Sequence, residues 1–198
     1  MPRLNQKRKE LEIKIVYYGA GLSGKTTNVQ CINGSVEPGS RSELVSLATQ
    51  QDRTLYFDYL AIDAGQVNGY NIRVSLFTVP GQHPYNRTRK EVLKEVDGIV
   101  FVADSSEAKW ASNIDSFNNL LDNLKSLNID AEKLPLVIQY NKRDLSDAMP
   151  VEKMENDLNR AGKVPSFECI ALQGKGVMGT LKKIVQLVIA TLHAGLAS

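Results

Sequence analysis

A glycine-rich turn between a predicted strand and a predicted helix constrains this fold more than any other feature. The segment Gly19–Thr26 reads G-A-G-L-S-G-K-T, follows a β-branched and aromatic run at 13–18, and precedes a helical pattern at 28–32. Glycines let the backbone turn tightly, so that successive N–H groups converge on phosphate oxygens beside the positive end of the helix dipole. This G-x-x-x-x-G-K-[ST] spacing, in this context, predicts a nucleoside-phosphate loop.

The side chains of the loop have distinct predicted roles. Lys25 supplies a point charge to the outer phosphates, and the Thr26 hydroxyl can ligate Mg²⁺, which takes oxygen ligands at short range. The motif alone does not separate GTP from ATP, or a switch from a kinase. The predicted phosphate-binding residues are Gly19, Gly21, Leu22, Ser23, Gly24, Lys25, Thr26 and Thr27.

Strand-like and helix-like segments alternate along the rest of the chain. Turn-rich residues at 63–69 separate two of the strand-length runs and predict a β-hairpin. Over 198 residues with no obvious linker, the alternation predicts one α/β domain spanning 1–198. Its sheet is mostly parallel, with one antiparallel edge strand and helices on both faces, and residues 1–10 form a short basic extension. Predicted strands lie at 13–18, 55–62, 71–79, 98–103, 135–140 and 167–172, and predicted helices at 110–124 and 180–192.

A second loop is predicted to select the base, and taken alone its short motif could also be a polar turn at a strand end. Asn141-Lys-Arg-Asp144 follows the buried-type strand at 135–140, at the edge of the sheet where ligands bind in open α/β folds. The Asp144 carboxylate can accept from both N1–H and the 2-amino group of guanine, whereas adenine offers neither donor at those positions. Asn141 is predicted to brace the loop and the base, and the Lys142 stem to cover the ring. Backbone at Ala171 and Leu172 is predicted to complete the site, with an N–H near Ala171 meeting the guanine carbonyl.

Composition limits the classes of partner that the chain is expected to bind. Lys and Arg total 24 against 22 Asp and Glu, so the net charge of +2 argues against nonspecific nucleic-acid binding. Two cysteines make no disulfide framework, and no apolar run approaches the length of a membrane span, which together predict a cytoplasmic protein. Pro2 and the residues at 195–198 match no lipidation motif, so we expect no lipid anchor. The basic residues at 3–9 allow peripheral membrane contact at most.

With both loops in place, the chain resembles the Ras-like small GTPases over nearly its whole length. More closely, it resembles their bacterial MglA-like branch, which acts in gliding motility and cell polarity. The stretches that carry this resemblance are Lys14–Gly19, Val45–Thr49, Arg53–Thr54, Thr78–Gln82, Asp97–Asp104 and Asn141–Asp144.

The resemblance assigns the switch residues. It implies that Gly81 N–H meets the γ-phosphate, that Gln82 positions the attacking water, and that Thr54 joins Thr26 as a ligand of Mg²⁺. Arg53 matches an arginine that MglA-like proteins are thought to supply to their own active site, although a solvated loop arginine is the alternative. The predicted catalytic residues are therefore Gln82, Arg53 and Lys25.

Two departures from the wider superfamily leave questions open. Most small GTPases have an Asp where this chain has Thr78, which predicts weaker retention of Mg²⁺ unless another acid helps. Asp58 is a candidate for that acid, and a plain exposed strand acid is the alternative. Arg87 and Arg89 are predicted to face partners.

The resemblance implies a GTP-hydrolysing switch with GTP or GDP and Mg²⁺ as its cofactors. Its hydrolysis is expected to be slow and to be stimulated by a roadblock-domain, MglB-like activating protein. The GTP state is expected to recruit polarity or motility effectors, concentrating the protein at a cell pole through those partners. Two alternatives remain open from the sequence, namely a nucleotide-dependent scaffold with negligible hydrolysis and a P-loop kinase or ATPase.

Overall fold

The computed structural model describes residues 2–47, 57–81, 85–159, 162 and 164–196. In these ranges the strands are β1 (Arg3–Asn5), β2 (Glu10–Tyr18), β3 (Val45–Leu47), β4 (Phe57–Val67), β5 (Tyr70–Thr78), β6 (Gly98–Asp104), β7 (Leu136–Asn141) and β8 (Ser166–Glu168). The helices are α1 (Lys25–Ser35), α2 (Asn86–Leu93), α3 (Trp110–Ser126), α4 (Val151–Leu158) and α5 (Val177–Leu196).

The strands form one sheet in the order β3-β4-β5-β2-β6-β7-β8, with β1 paired to β2 outside this path. Strand β2 is parallel to both β5 and β6, and β7 and β8 continue the parallel part. Strands β4 and β3 form an antiparallel edge. These pairings confirm the predicted mostly parallel sheet with an antiparallel edge. The parallel strands could be recognised in the sequence because a strand buried on both faces is an apolar run.

Helices cover both faces of the sheet, as predicted. On one face Val29 and Ile32 of α1 and Leu181 and Ile184 of α5 pack against inward side chains of β2, β4, β5 and β6. On the other face α2, α3 and α4 cover a second cluster. All residues of β6 are buried, which places the carboxyl end of this strand, and the loop after it, at the centre of the molecule.

Several predicted boundaries were wrong. The hairpin is present, but β4 runs to Val67 with a bulge between Asp63 and Gln66, and the turn is only Asn68-Gly69. Both turn residues have positive φ, which suits a tight two-residue hairpin. The last strand ends at Glu168, earlier than predicted, and residues 171–173 form a 3₁₀ turn. Helix α5 begins earlier and ends later than predicted. Helices α2 and α4 are short and mostly polar, and the sequence pattern did not indicate them.

The basic N-terminal segment contributes a strand. Residues 3–5 pair antiparallel with Glu10–Glu12, filling the space beside β2 that β6 leaves open. Arg3 also forms an ion pair with Glu95 at 2.5 Å. At the other end of the chain, Val177–Ala194 is the one described segment long and apolar enough to cross a membrane, with mean hydropathy 1.2. This is weak evidence for a span, because α5 supplies core residues to the sheet.

Candidate functional site

The loops that follow β2 and β7 meet at the carboxyl edge of the sheet. This edge is where parallel α/β sheets bind ligands. Gly19 and Gly24 have φ of +146° and +102°, which only glycine adopts readily. A Cβ at Gly19 would lie 2.2 Å from the Val102 carbonyl oxygen, and one at Gly24 would lie 2.2 Å from Asn141 Nδ2. Both glycines are therefore required by close packing as well as by conformation.

Lys25 is buried within the phosphate loop, although it carries an ammonium group. Its side chain is 6% exposed, and Nζ donates to the carbonyl oxygens of Gly19 at 2.9 Å and Ala20 at 2.6 Å. Burial lowers the pKa of Lys25 to about 7, with the Arg89 guanidinium acting in the same direction and the Asp58 carboxylate in the opposite one. A site with a buried ammonium group suits an anionic ligand, since phosphate oxygens would stabilise the charged form.

Asn141 joins the phosphate loop to the base loop. Its Nδ2 donates to the Ser23 carbonyl oxygen at 2.8 Å, and its Oδ1 accepts from the Ala171 N–H at 2.9 Å. The Ala171 N–H that was predicted to meet guanine is thus used to hold Asn141 in this structure. One buried amide therefore connects three loops, and Ser23, Asn141 and Ala171 are all buried.

Lys142 and Asp144 differ in how they are held. Lys142 has φ of +65°, and its ammonium bonds to Asp104 Oδ2 at 2.6 Å. Asp104 ends β6, is 1% exposed, and also accepts from the Ser106 N–H at 3.0 Å. Asp144 is exposed, so its carboxylate is accessible to a base lying along Lys142. Sequence reasoning missed Asp104, although an acid at the carboxyl end of a buried strand is a signal for such a role.

A hydroxyl and carboxylate cluster lies beside the start of α1. Asp58 Oδ2 accepts from Thr26 Oγ1 at 2.6 Å and from Thr78 Oγ1 at 2.9 Å, while Oδ1 accepts from Ser46 Oγ at 2.8 Å. Antiparallel pairing of β4 with β5 places Asp58 opposite Thr78, whose Oγ1 also accepts from the Asp58 N–H at 2.8 Å. Asp58 is 7% exposed, so the alternative of an ordinary exposed strand acid is wrong.

These oxygens fit a hard cation. Mg²⁺ in phosphate sites is held by one or two protein oxygens together with phosphates and water, not by a dedicated cage. Within the described ranges, no group of three or more His, Cys, Asp and Glu side chains gathers. Thr26 and Asp58 are the residues of this cluster that can hold the ion directly or through water.

Gly81 packs directly on the phosphate loop. A Cβ there would lie 2.4 Å from the Gly21 nitrogen, so only glycine permits this approach. Gly81, Gly21, Arg89 and Asn119 line a cavity of about 370 Å³ beside the loop. The prediction that Arg89 faces partners was wrong, because this residue is 5% exposed, whereas Arg87 is exposed. Charged residues in a short polar helix are usually exposed, so the pattern gave no sign of this burial.

The remaining predicted site residues are placed as follows. Gly19, Gly21, Leu22, Ser23, Gly24, Lys25, Thr26 and Thr27 all lie in the phosphate loop or the first turn of α1, with Leu22 82% exposed. Leu172 follows Ala171 in the 3₁₀ turn and is 85% exposed. Arg53, Thr54 and Gln82 lie outside the described residues, so their roles stay predictions.

A buried lysine in a glycine loop, joined through one asparagine to a guanine-type base loop on a mostly parallel sheet, defines a P-loop nucleotide-binding protein of the small GTPase class. The sequence profile described as "ADP-ribosylation factor family" matches residues 2–188. The chain belongs to this family of small GTPases.

Two relatives are similar over almost the entire chain. The chain is 45% identical over 195 residues to "Mutual gliding-motility protein MglA" of Myxococcus xanthus (strain DK1622), covering 98% of this chain and 100% of that protein. It is 26% identical over 188 residues to "ADP-ribosylation factor-like protein 2" of Arabidopsis thaliana, covering 91% of this chain and 89% of that protein.

Family membership confirms the predicted activity and cofactors. The protein binds GTP and GDP with Mg²⁺ and hydrolyses GTP, and as a small GTPase it works with regulators and effectors. The kinase or ATPase alternative and the non-hydrolysing scaffold are not favoured. The predicted MglA-type resemblance is confirmed by the 45% identity.

Proposed function

We propose that this GTPase is a switch of the MglA type, which controls cell polarity or motility by recruiting effectors in its GTP state. The observation that supports this most is the joined pair of loops at the carboxyl edge of the sheet, in a chain 45% identical to the gliding-motility protein of Myxococcus xanthus. The proposed location is cytoplasmic, with concentration at a cell pole through partners.

The proposed mechanism assigns one task to each residue. Lys25 and Arg53 stabilise the charge that develops on the transferred phosphoryl group, and Gln82 orients the attacking water. Bound Mg²⁺ would supply charge neutralisation at the β- and γ-phosphates. Thr54 and Gly81 contact the GTP state specifically, so that loss of the γ-phosphate releases both switch segments. Asp144 reads guanine, and Lys142, held by Asp104, lies over the base.

We also propose that a roadblock-domain, MglB-like protein activates hydrolysis. The support is the resemblance to MglA-like proteins, which implies an activating partner of this fold. Phosphate release from GTP should be slow with the protein alone and should rise when a purified roadblock-domain protein is added. Lys25→Ala should stay at background under both conditions. If the wild-type protein does not exceed Lys25→Ala even with the partner, the proposed switch function is wrong.

Asp58 is proposed to replace the acid that most small GTPases have at the position of Thr78. Its carboxylate contacts the Thr26 hydroxyl at 2.6 Å, so it can orient that ligand and retain Mg²⁺. Asp58→Asn should therefore release GDP about 10-fold faster in the presence of Mg²⁺, since loss of an orienting partner costs about 10-fold to 100-fold in metal affinity. The measurement is dissociation of a fluorescent GDP analogue with Mg²⁺ and with EDTA.

Asp63→Asn is the matched control, because Asp63 lies on the same strand and is exposed. It should behave as the wild-type protein does. The release rate of Asp58→Asn in EDTA should equal that of the wild-type protein, which shows that the phosphate loop is intact. If Asp58→Asn and the wild-type protein release GDP at equal rates in Mg²⁺, Asp58 has a structural role only.

A further inference from the structure

Arg89 is a buried arginine that bonds to the backbone next to Gly81. Its Nη1 donates to the Pro80 carbonyl oxygen at 3.3 Å, and the side chain is 5% exposed. The Pro80 carbonyl and the Gly81 N–H belong to one peptide group, which is planar and trans. A group that holds the carbonyl therefore also sets the direction of the Gly81 N–H, which points to the opposite side.

The residue that carries this N–H packs against the phosphate loop. Gly81 approaches Gly21 so closely that a Cβ would lie 2.4 Å from the Gly21 nitrogen and 2.5 Å from its Cα. Arg89 faces the cavity that both glycines line, and its charge is near enough to lower the pKa of Lys25. Arg89 is thus placed on the phosphate side of α2, not on its solvent side.

Tyr18 is held by α3 and lies close enough to Arg89 to be affected by its charge. Tyr18 is fully buried and ends β2 immediately before Gly19. Burial raises the pKa of Tyr18 to about 12, and the Arg89 charge opposes that rise. Tyr18 Oη donates to Asn119 Oδ1 at 2.7 Å and accepts from Asn123 Nδ2 at 3.0 Å. A hydroxyl with both bonds satisfied by α3 has little freedom to rotate.

The same asparagines hold the beginning of α2. Asn86 Oδ1 accepts from Asn123 Nδ2 at 2.9 Å and from Asn119 Nδ2 at 3.1 Å. Asn86 is the first residue of α2, and Arg89 follows one turn later. A partly buried polar network of this kind favours one geometry, because each group would lose its partner if α2 moved. Helix α2 is therefore positioned on α3 at the end nearest Gly81.

We propose that Arg89 is a positioning residue for γ-phosphate recognition. By bonding to the Pro80 carbonyl it orients the Gly81 N–H, and the hydrogen-bonded group of Tyr18, Asn119 and Asn123 keeps Arg89 in place. This inference rests on the proposed role of Gly81 in the GTP state. A guanidinium has the fork geometry to contact a carbonyl and a hydroxyl together, whereas an ammonium on a flexible stem does not hold the same directions.

The test compares binding of GDP with binding of a non-hydrolysable GTP analogue. Arg89→Lys keeps the charge but removes the fork, so affinity for the GTP analogue should fall about 10-fold while affinity for GDP stays unchanged. Tyr18→Phe keeps the ring volume and removes only the hydroxyl, and should cause a smaller loss of the same kind. The double variant should lose less than the sum of the two, since both act on one network.

Arg87→Ala is the matched control, because Arg87 is exposed on the same helix, and both affinities should stay at the wild-type level. Equal losses of affinity for GDP and for the GTP analogue in the two variants would overturn the inference, because Arg89 would then support the fold or the general charge of the loop. Unchanged affinities in both variants would overturn it as well. If Arg89→Lys does not fold, Tyr18→Phe decides the question. If the wild-type protein binds neither nucleotide, the proposed function fails instead.

Discussion

Replacing Asp144 with asparagine should lower the preference for GTP over ATP by about 10³-fold. The carboxylate is exposed at the base loop and can accept from two guanine donors at once. Asparagine has one acceptor and presents an NH₂ donor toward the second guanine donor, so one hydrogen bond is lost and two donors face each other. Hydrogen bonds to charged groups contribute about 1.5–3 kcal/mol each, and a site built around such bonds discriminates by about 10⁴-fold or more.

Competition binding with GTP, ATP and XTP measures this change. Xanthine has a carbonyl in place of the 2-amino group of guanine, so Asp144→Asn should gain affinity for XTP as it loses affinity for GTP. Asp147→Asn is the matched control, because Asp147 is an exposed acid in the same loop, and it should keep the wild-type selectivity. An unchanged ratio of GTP to ATP affinity in Asp144→Asn would falsify the base-reading role.

The second large effect concerns the rate of hydrolysis. Arg53→Ala should slow single-turnover hydrolysis of GTP by about 10³-fold to 10⁵-fold while the affinities for GTP and GDP are retained. A guanidinium at the developing phosphoryl charge contributes that much in this class of reaction, and it acts in the transition state more than in the ground state. The measurement is phosphate release from preloaded protein, with a roadblock-domain protein present and absent.

Arg73→Ala is the control for Arg53, because Arg73 lies on β5 near the amino edge of the sheet and pairs only distantly with Glu10, at 3.9 Å. It should hydrolyse GTP at the wild-type rate. Loss of nucleotide binding in Arg53→Ala would mean that the arginine maintains the structure of its loop. An unchanged rate of GTP hydrolysis would mean that it is an exposed residue with no part in catalysis. Neither outcome affects the guanine-reading role of Asp144, so the two predictions stand separately.

Local sequence determined the parts of the site that depend on backbone conformation. The glycines at 19 and 24 adopt φ values that other residues avoid, and Lys25 begins α1 as the motif predicts. The buried strands β6 and β7 were recognisable because a strand covered on both faces is apolar throughout. The short helices α2 and α4 were not, because eight mostly polar residues carry too few apolar positions to show a period.

Only the tertiary structure decided which side chains meet across distant segments. The bond from Asn141 to Ser23 spans 118 residues, and the ion pair of Lys142 with Asp104 spans 38. Strand pairing, which no local pattern specifies, puts Asp58 beside Thr78, and the position of α1 puts Thr26 beside the same carboxylate. Arg89 is buried beside Gly81 and the phosphate loop, although its own helix is polar. The sequence by itself therefore determined the phosphate loop, through local backbone conformation, and indicated the nucleotide class, through the side chains of the short motif at 141–144. The packing of α2 and β4 against the phosphate loop decided which side chains contact that loop.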